Sequence, residues 1–258
     1  MKTFVLFLTI LLPLSLSAQI LSMPADETSL QFKVKQIDEF MRRFNFEETY
    51  DGSVPSNAAT LEERLYNMYT VFRCANFYTE DGKQDSLVID FCNYVVDNNL
   101  RLRYEDNNWT AEVVCSAKLN GKNQSVSLFL QTEQIKDVLY KWVLVDVNAS
   151  FMKNLGVASK DSLFISPAEH GISFITLPRI INLSVSDVNT VFKQSWQLDR
   201  LSVFNYLITS GILSLKVVDK VLYHWDIGDY CFQVERFEGE NSANQGWLIS
   251  KIVSKCNK

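Results

Sequence analysis

Near residue 100 the apolar residues of this chain stop recurring every three or four positions and begin to alternate, which confines the fold to helices followed by antiparallel strands. Before that point Leu30, Val34, Ile37, Met41 and Phe44 form one stripe and predict a helix from about Ser29 to Phe46. Thr49 to Ala59, with Gly52 and Pro55, reads as a loop. Thr60 followed by Glu63 has capping-box spacing, and Leu61, Leu65, Met68, Tyr69 and Phe72 predict a second helix as far as Phe77. Val88, Phe91, Cys92 and Val95 place a third helix over Asp85 to Asp97.

Beyond the change of period, Leu100–Tyr104, Trp109–Leu119, Ser125–Gln131 and Leu139–Val147 read as strands. Asn120-Gly121 marks a tight hairpin, because both residue types tolerate the positive φ of a type I′ turn. Alternation along the last strand puts Trp142, Leu144 and Asp146 on one face and Val143, Val145 and Val147 on the other. A connecting segment runs over 151–183, and the order then repeats. Ser184–Phe192 and Leu198–Thr209 read as helices, followed by strands at Ile212–Val218, Val221–Asp226, Tyr230–Glu238 and Trp247–Val253. The turns between these strands fall at Asp219-Lys220, at Ile227-Gly228-Asp229 and over Gly239–Gly246. The layout suggests an α+β unit over 19–150 and a smaller one over 184–258, against the alternative of one continuous α+β domain without duplication.

Met1 to about Gln19 reads as a secretory signal: Lys2 gives a positive start, Phe4–Leu14 an apolar run too short to span a bilayer, and Ser15, Ser17 and Ala18 a small-residue cleavage region. We take 1–18 as the signal, so export to the periplasm, the cell surface or the medium is expected, with no transmembrane segment in the remaining chain. Loss of Lys2 moves the formal charge from −5 to −6, an acidic balance without a basic stripe that argues against nucleic acid as partner. The composition, 47% hydrophobic and 21% charged, is that of a globular body.

Cys74, Cys92, Cys115, Cys231 and Cys256 are five, so in an oxidising compartment at least one stays unpaired within the chain. Cys74 and Cys92 lie on successive predicted helices with a turn near Asp81-Gly82 between them. They form either a disulfide or two buried thiols packed as small hydrophobes. No CxxC and only two histidines, His170 and His224, leave no metal-ligand spacing, and no cofactor motif is present. His170, in Pro-Ala-Glu-His-Gly, is a candidate binding residue at a loop lip, or else a histidine that organises the connecting segment.

Helix, helix, short helix and then a meander closing on a Trp-containing strand resembles the NTF2-like or cystatin-like α+β superfamily. The whole chain, with its LSAQ-type signal and the Ile165–His170 stretch ahead of Phe174 and Leu177, resembles exported proteins of Bacteroides-type bacteria. The resemblance implies helices packed on curved antiparallel sheets around a cone-shaped cavity, a scaffold used by small-molecule enzymes and by interaction modules alike. An isomerase or dehydratase of this kind would carry an Asp base inside the cone, for which Asp146 and Asp226 are the candidates; both also suit an exposed strand face and a turn. Asp85-Ser-Leu87 and Asp161-Ser-Leu163 resemble a short O-glycosylation signal of those bacteria, at Ser86 and Ser162. The function expected on this basis is an exported, non-catalytic binding or assembly module for a protein or small-molecule ligand outside the cytoplasm. The alternative is a small-molecule enzyme using the cone.

Overall fold

Thr60 and Glu63 close the box that their spacing predicts: the Glu63 amide donates to Thr60 Oγ1 at 3.2 Å, and the Thr60 amide donates to Glu63 Oε2 at 2.7 Å. The computed structural model that shows this describes residues 37–56, 58–73, 76–77, 83–136, 139–153, 178, 198–237 and 246–255. Its helices are α1 (Ile37–Phe44), α2 (Leu61–Thr70), α3 (Ser86–Asp97) and α4 (Arg200–Thr209). Asp85 and Asp199 cap α3 and α4, accepting from the amides of Leu87 and Leu201. The residues before Ile37 and the helix expected over Ser184–Phe192 lie outside the described residues.

Two expectations fail for the same reason, that tertiary partners outbid local pattern. The second helix stops at Thr70 rather than Phe77, because Phe72 forms a parallel bridge with Ile249, held by Arg73 N–H to Ile249 O at 3.0 Å and Ile249 N–H to Val71 O at 2.8 Å. Leu100–Tyr104 is not a strand. There the Asn45 side chain stands in for a strand partner, accepting from the Leu102 amide at 2.8 Å and donating to the Leu102 carbonyl at 3.0 Å.

The strands are β1 (Trp109–Leu119), β2 (Lys122–Lys136), β3 (Leu139–Ala149), β4 (Leu213–Ile227), β5 (Tyr230–Phe237) and β6 (Gly246–Ser254). They form one antiparallel sheet in the order β3-β2-β1-β4-β5-β6. Asn120 and Gly121, with φ of 48° and 79°, make the expected turn between β1 and β2. Because β1 pairs with β4, the strands of 19–150 and 184–258 share a sheet instead of forming two. The expected turn at Asp219-Lys220 is instead the site of a bulge within a single 15-residue β4. Register shifts beside Cys115 and Ala117 pass over Asp219 and Lys216, which keeps Val221, Val218 and Leu215 in line with Val113, Cys115 and Ala117. The bulges thus restore a face that strict alternation through β4 would have lost.

Helices α1–α3 cover one end of this face through aromatic rings. Trp225 lies between Trp109, at 5.3 Å and 6° between ring planes, and Phe232, at 5.5 Å and 12°. Phe44 stacks on Phe232, while Phe91 meets Phe232 and Tyr230 edge-on at 5.5 and 5.2 Å. Rings from both halves of the chain therefore build one core, and they occupy the space where the family resemblance implies a cavity. A second cluster, with Ala117, Val126, Val147, Ala149 and Leu213, packs against Leu201, Phe204 and Leu207 of α4. Arg43 of α1 is buried, and its Nη2 donates to the Thr70 carbonyl at 2.8 Å; loss of solvent lowers its pKa.

Candidate functional site

Alternation that turns the rings toward the helices turns polar side chains to the other face. Thr110 and Glu112 on β1, Gln131 on β2, His224 on β4, Gln233 on β5 and Lys251 on β6 share it, because directly paired residues of an antiparallel sheet point the same way. Thr110 stands opposite His224 and is reached by the Gln131 side chain, and Gln233 stands opposite both His224 and Lys251. All of these but Glu112 line a depression of about 700 Å³, whose walls also take in Asp226, Cys231, Trp225 and Phe232.

His224 of the depression has a diagonal partner beside it, with His224 Nε2 and Glu112 Oε2 at 2.9 Å and the Glu112 side chain 19% exposed. Gln131 donates to Thr110 Oγ1 at 3.3 Å, and Gln233 donates to Ser250 Oγ at 3.1 Å. Each bond uses one N–H of the amide, and the Gln131 and Gln233 side-chain carbonyl oxygens are groups that can only accept. At the rim Lys255 pairs with Asp226 and donates to the Gly228 carbonyl at 2.7 Å, and Asp226 raises the Lys255 pKa by hydrogen bond and charge. The site is therefore a patch of fixed neutral donors and acceptors with charged groups arranged around it.

The two carboxylates expected inside a cone are elsewhere. Asp146 accepts from the Val147 amide at 2.8 Å and pairs with Arg200, its side chain 37% exposed. A bulge at Val145 also undoes the expected alternation: Phe129 pairs with Asp146 but Leu130 with Leu144, so Leu144 and Val147 pack into the same cluster while Asp146 does not. The Asp226 side chain is 57% exposed. The strands carrying the two, β3 and β4, are separated by β2 and β1, so the sheet does not bring them together.

His170, Cys74 and Ser162 lie outside the described residues. Cys92 is a free thiol with no exposed surface and packs as a small hydrophobe, the second of the two alternatives, while Cys74 lies outside the described residues. The position of Cys92 on the buried face of α3 among the rings pushes its pKa well above the ordinary thiol range. Cys231, half-buried in the depression, is reachable. Treatment of the native protein with a thiol reagent, followed by peptide mapping, is expected to label Cys231 and to leave Cys92 unlabelled until denaturant is added; early labelling of Cys92 would contradict its burial. Asp85 is occupied as the α3 cap, and Ser86 beside it is exposed.

A second depression, of about 440 Å³, lies between the 46–59 loop and α2. Asp51 shapes that loop by accepting from Thr49 Oγ1 and from the Ser53 amide, bonds that hold its carboxyl down at about 2. Among the described residues no group of three or more His, Cys, Asp or Glu side chains is placed to hold a metal ion, and no helix is long and apolar enough to cross a membrane. The residues missed by sequence reasoning are Glu112, Gln131, Gln233 and Lys251. Each looks like one more polar position in an alternating strand, and only the pairing of strands more than a hundred residues apart makes them neighbours. The chain matches no family model, no curated protein and no solved structure.

Proposed function

We propose that this chain is an exported, non-catalytic binding module of the periplasm or cell surface, and that its ligand face is the open side of the sheet around His224, Glu112, Gln131 and Gln233. One observation carries the reading: the space between helices and sheet is packed with rings, whereas the polar groups converge on the opposite face in a depression of about 700 Å³. That volume falls within the ~300–1,000 Å³ typical of small-molecule sites. Export is supported by the signal pattern of residues 1–18, and the net charge of −5 disfavours a polyanionic partner.

The second reading, a small-molecule enzyme, is favoured by the His224–Glu112 pair, since a carboxylate that orients an imidazole is an acid–base arrangement. An NMR titration with neutral sugars, sugar acids and amino acids separates the two. A binding module is expected to show shifts at the amides of Thr110, Gln131, His224 and Gln233, recovery of the compound unchanged, and about tenfold weaker binding in His224→Ala, which removes one hydrogen-bonding side chain from the face. Conversion of the compound by the wild type and not by Glu112→Gln would establish the enzyme instead. Shifts confined to the ring-packed interior, or none with any compound, would overturn the assignment of the open face.

A further inference from the structure

We propose that the depression binds a hydroxyl-rich carboxylate of the sugar-acid class, with Lys251 as its anion anchor; this rests on the open face being the ligand face. Among the described residues each carboxylate of the site already has a side-chain partner, Glu112 in a hydrogen bond with His224 and Asp226 in an ion pair with Lys255. Lys251 lines the depression and engages no carboxylate among the described residues, so the charged group left unengaged there is a cation. A ligand ammonium would find no free carboxylate there, which disfavours cationic ligands and amino acids.

The neutral groups select the rest of the ligand. The carbonyl oxygens of Gln131 and Gln233 can only accept, while the Thr110 hydroxyl both donates and accepts. Hydroxyls match such a mixture because each supplies one donor and two acceptor lone pairs, and several on one ring can meet several fixed partners at once. Lys251 is cross-strand neighbour to Gln233, which is cross-strand neighbour to His224. Successive strands lie about 4.8 Å apart, so Gln233 and His224 stand one and two spacings from the anchor, on the scale of a single sugar ring, and Thr110 and Gln131 extend the row to three and four spacings.

The experiment is titration calorimetry of the full chain with glucuronate, glucose and acetate, on the wild type and on Lys251→Gln, an exposed substitution that leaves the fold intact. The expected result is saturable glucuronate binding, glucose at least about tenfold weaker, acetate weaker still, and a Lys251→Gln protein that binds glucuronate and glucose alike. Equal wild-type affinity for glucuronate and glucose would overturn the anion anchor while the ligand face stands. Absence of glucuronate binding, in a protein that binds another polar compound with shifts at Gln131 and Gln233, would overturn the sugar-acid class alone. Absence of any ligand at those residues would overturn both readings.

Discussion

Trp225→Ala is expected to lower the unfolding free energy by about 3–5 kcal/mol, the loss typical of removing a large aromatic side chain from a packed interior. The ring is 2% exposed and lies between Trp109 and Phe232, with Phe40 at 5.5 Å and Tyr223 at 5.8 Å on further sides. Deleting it opens a void that flat, mutually stacked neighbours cannot readily refill. Its Nε1 is buried without a hydrogen-bond partner among the described residues, so its contribution is packing. Trp225→Phe should therefore lose much less, about 1–2 kcal/mol. Urea unfolding measures both. A shift of the Trp225→Ala midpoint corresponding to less than about 1 kcal/mol, with an unchanged denaturant slope, would show that the rings do not form the packed layer described.

The second large effect is Gly228→Ala, with an expected loss of about 2–4 kcal/mol. Gly228 has φ of 53°, and a Cβ there would overlap the Tyr94 hydroxyl and come within 2.9 Å of Tyr94 Cζ. The tyrosine cannot simply swing aside, because its ring packs on Tyr230 at 5.3 Å and its helix is seated in the core through Phe91 and Val95. Gly211 separates the two causes. Its φ is 71° but nothing lies within 4 Å of an added Cβ, so Gly211→Ala should show only the backbone part, about 1 kcal/mol. The Tyr94→Phe background should return part of the Gly228→Ala loss by removing the hydroxyl. Equal losses at Gly228 and Gly211 would mean that α3 does not press on the β4–β5 turn.

What the sequence made legible follows from the range of each interaction. Thr60 with Glu63, Asp85 ahead of Leu87 and Asn120-Gly121 act within four residues, and the caps and the hairpin turn stand where local chemistry puts them. The α+β class follows equally from the change of period. The misses are long-range. Phe72 continues a helical stripe, yet Ile249 draws it into a bridge 177 residues away in sequence. Asp219-Lys220 has the composition of a turn, but pairing with β1 carries the chain through as a bulged strand. Likewise, the apparent repetition of helices then strands suggested two units, and the β1–β4 pairing joins them into one sheet.

The site was harder to read than the fold. Asp146 and Asp226 are carboxylates on strands that the resemblance places around a cone, but Arg200 and Lys255 pair with them at exposed positions. His224 was visible as one of two histidines. Its partner Glu112 lay 112 positions away with nothing in its own strand to distinguish it. A residue's role here depends on which strands become neighbours, information that no window of ten residues contains.

The most direct test of the account is a crystal structure of the protein soaked with the tightest-binding compound of the titration series. Density is expected on the open face, in contact with Gln131, His224 and Gln233, with the ring layer around Trp225 unchanged. Density between the helices and the sheet, with Phe44, Phe91 or Trp225 displaced to admit the ligand, would contradict it.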